Sequence, residues 1–307
     1  MVQNEYEVIS HNNRNFHLFL VNLVYRTPHI HKDYEICLIL EGSLTLITPE
    51  SVLSLDKNDI FIINPFQSHE IKAGAPVLIL SLQVSPSFFA SYYPQMEHME
   101  FDVIALKHSE AASDCQLPGR YLLFMANAFY QKEEYHALKC AAAINLLFQA
   151  LLSTQKHHVI SEKEWQASVT RRRRMRKILQ YIDNHYTEKL LLSDIAKQEN
   201  LDLYYLSHFF KECFGITFQD YLTRTRCEQA RQLLILTDYS LLDISINCGF
   251  SDPKYLTNGF RKQYGCSPKE YRQNFSRSVS EQKQASMLTT QKFISEEDGL
   301  TLMKKYL

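Results

Sequence analysis

A group of imidazole and carboxylate side chains stands near the start of the sequence. His29, His31 and Glu35 form the string His29-x-His31-x3-Glu35, and His69 follows later. Because side chains alternate across a strand, we expect the first three on one face of one extended strand, with His69 approaching from a neighbouring strand. Three imidazoles and a carboxylate suit a divalent transition metal, and the same groups can hydrogen-bond a small polar molecule.

Two stripes of polar and cationic side chains lie in the second half of the chain. Both follow the i, i+3, i+4, i+7 spacing of one helix face. The stripes are Tyr204, Ser207, His208, Lys211 and Lys254, Thr257, Asn258, Arg261. Hydroxyl, amide, imidazole and cationic groups are what base edges and phosphates require. A solvated helix face shows the same pattern, but its duplication in basic surroundings favours DNA contact.

The elements that must position these stripes form an internal repeat, over residues 194–221 and 243–271, with a period of about fifty residues. Each copy predicts a short helix, a tight turn and a second helix. In the first copy Asp194 opens the short helix, Asn200 takes the turn and Asp202 caps the second helix. In the second copy the corresponding residues are the capping pair Ser240 and Asp243, then Gly249, Asp252 and Pro253. Such units are helix-turn-helix motifs, whose second helix enters the major groove.

Residues of about 175–272 resemble the DNA-binding domain of AraC/XylS-type transcription regulators. The resemblance rests on the connector Tyr221-x4-Arg226-x3-Ala230-x2-Leu233-Leu234 and on the runs Cys248-Gly249-Phe250-Ser251-Asp252 and Gly265-Cys266-Ser267-Pro268. It implies two helix-turn-helix units joined by one long helix, which reach successive major-groove segments on one DNA face. By position it implies base contacts from Tyr204, Ser207, His208, Lys254, Thr257 and Asn258, beside Pro253, and phosphate contacts from Lys211, Arg261 and Lys262.

The first half of the chain predicts an antiparallel barrel or sandwich, because β-rich runs separated by turn residues fill residues 16–84. The string from His29 to Gly42 resembles the cupin metal motif, whereas Pro65-x3-His69 lacks a glycine of the fuller pattern. The resemblance to AraC-type regulators implies a barrel that holds an organic effector or none, as such barrels generally do. We therefore expect a small polar effector such as a sugar rather than a metal or another cofactor. The expected contacts are Arg26, His29, His31, Glu35 and His69, with Tyr25 close enough in sequence to join them.

The predicted fold is α+β and multidomain: an N-terminal antiparallel cupin-like barrel with a helical dimerisation segment, and a C-terminal all-α double helix-turn-helix domain. We place a sensing barrel at 1–100, helices at 101–155, a linker at 156–172, the DNA-binding domain at 173–275 and an unassigned tail at 276–307. An apolar stripe in the second helix favours an antiparallel helix dimer, with packing on the barrel as the alternative. The stripe comprises Ile144, Leu147, Phe148, Leu151 and Leu152. The run 171–174, four arginines, either grips phosphates or belongs to the linker.

Composition narrows the functional classes. Residues 1–155 carry 9 Lys and Arg against 16 Asp and Glu, whereas residues 156–275 carry 19 against 14, so only the second half is expected to meet a polyanion. The glycines form neither a dinucleotide fingerprint nor a P-loop, and no apolar run is long enough to span a bilayer. We expect a cytoplasmic, non-enzymatic homodimer that binds promoter double-stranded DNA, contacts RNA polymerase and activates transcription. The alternative is a metal-dependent cupin enzyme tethered to DNA.

Overall fold

The computed structural model describes residues 15–102, 104–108, 116–132, 134–277 and 291–306. Residues 1–14 of the predicted barrel segment and 278–290 of the predicted tail lie outside the described residues.

An antiparallel curled sheet forms the N-terminal domain, as predicted. The strands are β1 (Phe16–His29), β2 (Tyr34–Glu41), β3 (Ser43–Ile47), β4 (Val52–Asp56), β5 (Ile60–Ile63), β6 (His69–Val84), β7 (Met99–Phe101), β8 (Ala105–Leu106), β9 (His157–Val159) and β10 (Gln291–Phe293). In the main sheet they lie in the order β10-β1-β6-β2-β5-β8, and β3 pairs with both β4 and β6. Strands β7 and β9 pair with each other in a separate sheet.

The two faces of the sheet belong to two hydrophobic clusters. On β1, Leu18 and Leu20 pack toward the helices, whereas Phe19, Val21 and Leu23 belong to the cluster inside the curled sheet. This alternation is the period-two pattern of a strand covered on both sides. It also decides which polar residues of these strands face inward.

Two helices, α1 (Gln116–Gln131) and α2 (His136–Thr154), cover the outer face of the sheet. The apolar stripe of α2 is buried there: Ile144, Leu147, Phe148 and Leu151 are at most 2% exposed. Intramolecular packing, the alternative in the sequence analysis, therefore accounts for the stripe, and that face is not free for a helix dimer. By length and composition alone α2 could cross a membrane, contrary to the expectation from the sequence. However, 39% of the 18-residue apolar stretch of this helix is buried inside the protein.

The C-terminal domain is all-helical. Its helices are α3 (Glu162–His185), α4 (Leu192–Gln198), α5 (Leu203–Phe214), α6 (Phe218–Leu236), α7 (Leu241–Asn247), α8 (Pro253–Tyr264) and α9 (Pro268–Arg277). Helix α3 begins inside the segment predicted as a linker and carries the arginine run 171–174. Helices α3 to α5 share one core with the start of α6, and α7 and α8 share another with the rest of α6.

The end of the chain returns to the N-terminal domain. Strand β10 pairs with β1 at the edge of the sheet, with Val21 opposite Phe293. Helix α10 (Glu296–Met303) packs on α1, where Met303 is 1% exposed. The sequence alone predicts no structure for the 276–307 segment, whereas residues 291–306 form a strand and a helix on the N-terminal domain.

Candidate functional site

The turns of both helix-turn-helix units have the conformations that the sequence predicts. Asn200 and Gly249 adopt left-handed φ angles of 53° and 78°. The carboxylates of Asp202 and Asp252 accept hydrogen bonds from the backbone N–H of Tyr205 and Lys254, at 3.0 and 2.6 Å. One prediction is wrong in detail: α4 begins at Leu192, before Asp194, because Leu191 already supplies the extended N-cap backbone.

Gly249 is required by space as well as by conformation. A Cβ atom at this position would lie 2.5 Å from the Tyr186 carbonyl oxygen and 2.7 Å from the Thr187 Cα. The turn of the second unit therefore packs directly on the chain that leaves α3. Any side chain here would have to displace backbone.

The second helix of the first unit, α5, divides cleanly into a buried and an exposed face. Leu206, Phe209, Phe210 and Cys213 are buried, as predicted. Tyr204 is 73% exposed, and its ring lies 4.3 Å from the His208 ring between centroids. Ser207, His208 and Lys211 are exposed on the same stripe, so this face is open to a partner.

The second helix of the second unit, α8, presents the corresponding stripe. Lys254, Asn258 and Arg261 are exposed. Thr257 is half-buried and donates its hydroxyl to the Pro253 carbonyl at 2.9 Å, so its methyl and hydroxyl are partly withdrawn from the surface. Lys262 lies off the stripe and forms a 3.0 Å ion pair with Asp220 on α6.

Helix α6 joins the two units. Its 19 residues span about 28 Å, of the order of one turn of duplex DNA. Leu222 belongs to the core of the first unit, whereas Cys227 and Ala230 belong to the core of the second. At Gly259 of α8 a Cβ would lie 2.8 Å from the Thr223 methyl. Close packing on one shared helix therefore sets the relative position of the units.

Several arginines of the basic half stabilise the fold. Arg226 donates to the carbonyls of Tyr186 and Glu188, both at 2.7 Å, and so caps the end of α3. Arg272 donates to the Leu234 carbonyl at the end of α6, at 3.1 Å. The charge excess therefore overstates the cations available to DNA, which a count of residues alone does not reveal.

The arginine run on α3 also contacts the first unit. Arg171 forms a 3.0 Å ion pair with Glu212, and the Arg174 guanidinium lies 5.2 Å from the Tyr205 ring centroid and donates to its hydroxyl. These contacts order α3 against α5. The arginine run therefore has a structural role, whereas the sequence suggested either phosphate binding or a linker.

The structure brings the predicted barrel residues His29, His31, Glu35 and His69 together. All four are buried, and one ligand atom from each lies within 4.8 Å of the others. The prediction of one shared strand is wrong. His29 ends β1, His31 lies in the connection, and Glu35 belongs to β2, because the chain reverses between them. His69, at the start of β6, is the register partner of His29.

Hydrogen bonds determine the tautomer of each imidazole in this cluster. The Nδ1 atoms of His29, His31 and His69 lie 2.9, 2.8 and 3.1 Å from the carbonyl oxygens of Thr27, Asp33 and Gln67. A carbonyl only accepts, so each Nδ1 must carry a proton. In the neutral ring Nε2 is then the nitrogen with a free lone pair.

Glu35 is oriented by neutral donors. Its Oε1 accepts from the Ser81 hydroxyl at 2.5 Å and the Gln83 amide at 3.4 Å. Its Oε2 lies 2.9 Å from His31 Nε2 and 3.4 Å from His69 Nε2. The last contact lacks hydrogen-bond alignment, so His69 Nε2 is buried without a hydrogen-bond partner.

Burial and charge separate the titration of these groups. Burial lowers the pKa of His29 and of His69, which favours their neutral forms. Burial also opposes protonation of His31, but the neighbouring Glu35 carboxylate outweighs it and raises the pKa of His31. Burial likewise opposes ionisation of Glu35, and the charge and hydrogen bond of His31 nevertheless hold the Glu35 pKa well below its ordinary value.

The space beside the cluster is small. A cavity of about 30 Å³, lined by Arg26, His29, Glu35 and the inner apolar residues, lies inside the curled sheet. This is room for one or two waters, whereas pockets for organic ligands usually measure about 300–1,000 Å³. Arg26 donates to the Gln291 side chain of β10, which also lines the cavity. Tyr25 does not join the group.

Tyr25 lies at the contact between the two domains. Its hydroxyl donates to Glu70 Oε1 at 3.0 Å, and its ring meets the Tyr264 ring of α8 edge-on at 6.1 Å. Arg224 of α6 places Nη1 2.6 Å from Glu70 Oε2, which is buried. Burial and the Glu70 carboxylate raise the pKa of Tyr25, so the phenol remains a donor.

A second contact joins the barrel to the first helix-turn-helix unit. Ile30, between His29 and His31, is 5% exposed within the core of that unit, and Phe66 packs against the same core. The Phe66 backbone N–H donates to the His31 carbonyl at 2.7 Å. The histidine cluster is therefore continuous with the surface that holds the first unit.

Two protein families match this chain. Residues 22–116 match the AraC-like ligand binding domain, and residues 195–274 match a helix-turn-helix domain. The first range contains the histidine cluster, and the second contains helices α5 and α8.

Curated relatives match over part of their length. Regulatory protein PocR of Salmonella typhimurium is 40% identical over 103 residues, which are 34% of each chain. The HTH-type transcriptional activator RhaS of Escherichia coli is 33% identical over 144 residues, 47% of this chain and 50% of RhaS. The matched segments thus span a third to a half of these relatives, both of which carry regulator names.

Solved structures are similar to parts of this chain. The DNA-binding domain of AdpA, in complex with a target DNA, is 26% identical over 34% of this chain and 96% of that one, with a TM-score of 0.32. ToxT of Vibrio cholerae is 14% identical over 84% of this chain and 98% of that one, with a TM-score of 0.45. These comparisons therefore make residues 22–116 similar to AraC-like ligand binding domains and residues 195–274 similar to the helix-turn-helix domains of regulators such as PocR and RhaS.

Proposed function

We propose that this protein is a ligand-responsive, sequence-specific transcription regulator that activates promoters. The observation that carries the proposal is the pair of capped helices α5 and α8, each with an exposed polar stripe, packed on the one helix α6. Base edges are read by such side chains in the major groove, and phosphates by the cations beside them.

The second unit is the stronger reader in this proposal. Lys254 and Asn258 read bases, assisted by Thr257, and Arg261 binds phosphate beside the helix start at Pro253. In the first unit Tyr204, Ser207 and His208 read bases, and Lys211 binds phosphate. Lys262 can bind phosphate only in competition with its Asp220 ion pair.

The barrel is the sensor in this proposal, and the protein has no enzymatic activity of its own. Signals reach DNA through the Glu70–Arg224 contact and through Ile30 and Phe66. The protein works in the cytoplasm, as a homodimer that recruits RNA polymerase. Because the α2 stripe is internal, a dimer would have to use outward residues such as Leu138, which is 70% exposed.

DNA binding by the full chain tests the proposal. Genomic fragments that co-purify with the protein should share a sequence, and a fluorescent duplex carrying it should bind far better than a scrambled duplex. Affinity should fall steeply with salt, by about 0.9 logarithmic units per contacted phosphate for each decade of salt. A flat salt response, or equal affinity for both duplexes, would overturn sequence-specific binding.

A further inference from the structure

The histidine cluster has a geometry that a sugar pocket does not need. Four buried ligand atoms lie within 4.8 Å of one another, and the free space beside them is about 30 Å³. We propose that His29, His31, Glu35 and His69 bind one divalent transition-metal ion, and that this ion fixes the barrel segments on which the first helix-turn-helix unit rests.

The lone pairs of the cluster point to a cation. Each Nδ1 is committed to a main-chain carbonyl, so Nε2 is the acceptor of each neutral ring. The Nε2 atoms of His31 and His69 lie beside the Glu35 carboxylate, which is also an acceptor. Acceptors held this close repel one another unless a positive charge lies between them. Nδ1–H donation to a carbonyl is the arrangement that orients histidines bound to metals.

A proton alone accounts for only part of the cluster. It can bridge His31 Nε2 and Glu35 Oε2, which are 2.9 Å apart. His69 Nε2 then still has no hydrogen bond, although it is fully buried. A metal ion would use both nitrogens and the carboxylate at once.

The distances suit a single ion after the ligand atoms move inward. Around a tetrahedral zinc ion with bonds of about 2.0–2.1 Å, two ligand atoms lie about 3.3–3.4 Å apart. The Glu35 carboxylate lies 2.9 and 3.4 Å from the nitrogens of His31 and His69, within about 0.5 Å of that spacing. The widest pair, within 4.8 Å, has to close by up to about 1.5 Å.

The chemistry of the donors selects the metal class. Imidazole suits zinc, copper, iron and nickel, whereas magnesium and calcium require oxygen ligands. The donor set here is three imidazoles and one carboxylate, and Ser81 and Gln83 already support the carboxylate from behind. The small cavity leaves room for one or two waters on the ion.

The ligands also connect the segments that contact the DNA-binding domain. Ile30 lies between two ligands, and Phe66 bonds to the His31 backbone. An ion that ties His29 and His31 to His69 therefore ties together both residues that enter the core of the first unit. The effect on DNA rests on the proposed function, whereas metal binding does not.

Metal titration of the full chain tests the site directly. Protein stripped with a chelator should bind one equivalent of Zn²⁺ by calorimetry, and one equivalent of Co²⁺ should produce visible ligand-field absorption. Glu35→Gln and His69→Ala should weaken Zn²⁺ binding by more than about 100-fold, because changes outside the ligand set already cost 10–100-fold. His158→Ala, an exposed histidine paired with Asp102, is the matched control and should bind like the wild type.

The wild-type titration keeps the test decisive even where a variant fails to fold. Absence of Zn²⁺ and Co²⁺ uptake by folded wild-type protein at about 100 μM metal, a concentration of the order at which weak sites fill, would overturn the metal site. So would unchanged affinity in both ligand variants.

Hydrogen exchange and DNA binding, each with and without Zn²⁺, separate the remaining claims. Increased protection of residues 64–69 and of α4 and α5 with Zn²⁺ would support the fixing of the first unit. Zn²⁺ uptake with unchanged exchange there would overturn it. Failure to bind DNA in either state, with Zn²⁺ uptake intact, would overturn the proposed function and leave the metal site supported.

Discussion

The two helix-turn-helix units are built alike and differ in their surroundings. Ile30 and Phe66 of the barrel pack in or against the core of the first unit, whereas the core of the second, among the residues that the structure describes, is built from the 227–271 segment. The second unit contacts the barrel through Tyr264, whose ring meets the Tyr25 ring edge-on. The two copies of the repeat therefore differ in how they are attached to the barrel.

The exposed stripes of helices α5 and α8 also differ. The exposed stripe of α8 carries Lys254 and Arg261, whereas that of α5 carries His208 and Lys211. An imidazole reaches less far than the flexible four-carbon side chain of a lysine. In the proposed function, the unit whose core includes barrel residues is thus the one with the weaker DNA-binding face.

The largest expected effect is a loss of folding stability when the turn of the second unit is changed. Gly249→Ala should lower the free energy of unfolding by about 2–5 kcal/mol, combining the left-handed φ with the clash on Tyr186. Asn200→Ala, the matched change in the first unit, should cost only about 1–2 kcal/mol. Urea unfolding followed by circular dichroism measures both, and equal losses would show that the two turns are packed alike.

The next effect concerns base reading. Lys254→Ala and Asn258→Ala should each cost about 1–3 kcal/mol on the specific duplex and much less on a scrambled one. Tyr204→Ala and His208→Ala should cost less on the specific duplex. Fluorescence anisotropy at fixed salt measures all four, and equal losses on both duplexes would refute base reading by Lys254 and Asn258.

A smaller effect tests the connection between the barrel and the first unit. Ile30→Val removes one buried methylene and should cost about 0.5–1.5 kcal/mol. The loss should reduce hydrogen-exchange protection in α4 and α5 and spare α7 and α8. Ile244→Val in the core of the second unit should show the opposite distribution. Uniform loss from either variant would mean that the two cores unfold as one unit.

The smallest effect distinguishes two neighbouring cations on α8. Arg261→Ala should reduce the slope of log affinity against log salt by about 1, because a phosphate contact is lost. Lys262→Ala should change it less, since Asp220 already pairs with Lys262. A larger change from Lys262 would mean that the ion pair opens on DNA.

The helical domain was the more predictable half because its signals are local. Asn200, Gly249, Asp202 and Asp252 act within one turn of their own positions, and all four have the predicted roles. The Leu206 and Phe210 face is likewise fixed by helical spacing. No local signal predicts that Arg226 caps α3, because the two carbonyls to which it donates belong to residues 38 and 40 positions away in the sequence.

The barrel was less predictable because its site is assembled by strand pairing. The sequence identified all four clustered residues but placed three of them on one strand, whereas the reversal after His29 is set by pairing of β1 with β6. The burial of the α2 stripe and the contact of Tyr25 with α8 are equally non-local. Side-chain periodicity indicates which residues face inward and not where the chain turns.

The return of residues 291–306 to the barrel has a topological consequence. The helical domain leaves the barrel through α3 and the chain re-enters it through β10, so both flanks of that domain are anchored on the same body. A single proteolytic cut before α3 would not release the helices, because the pairing of β10 with β1 and the seat of α10 on α1 would still retain them. Two cuts, one on each side, would leave the helices held only by their contacts with the barrel, such as Glu70–Arg224 and Ile30.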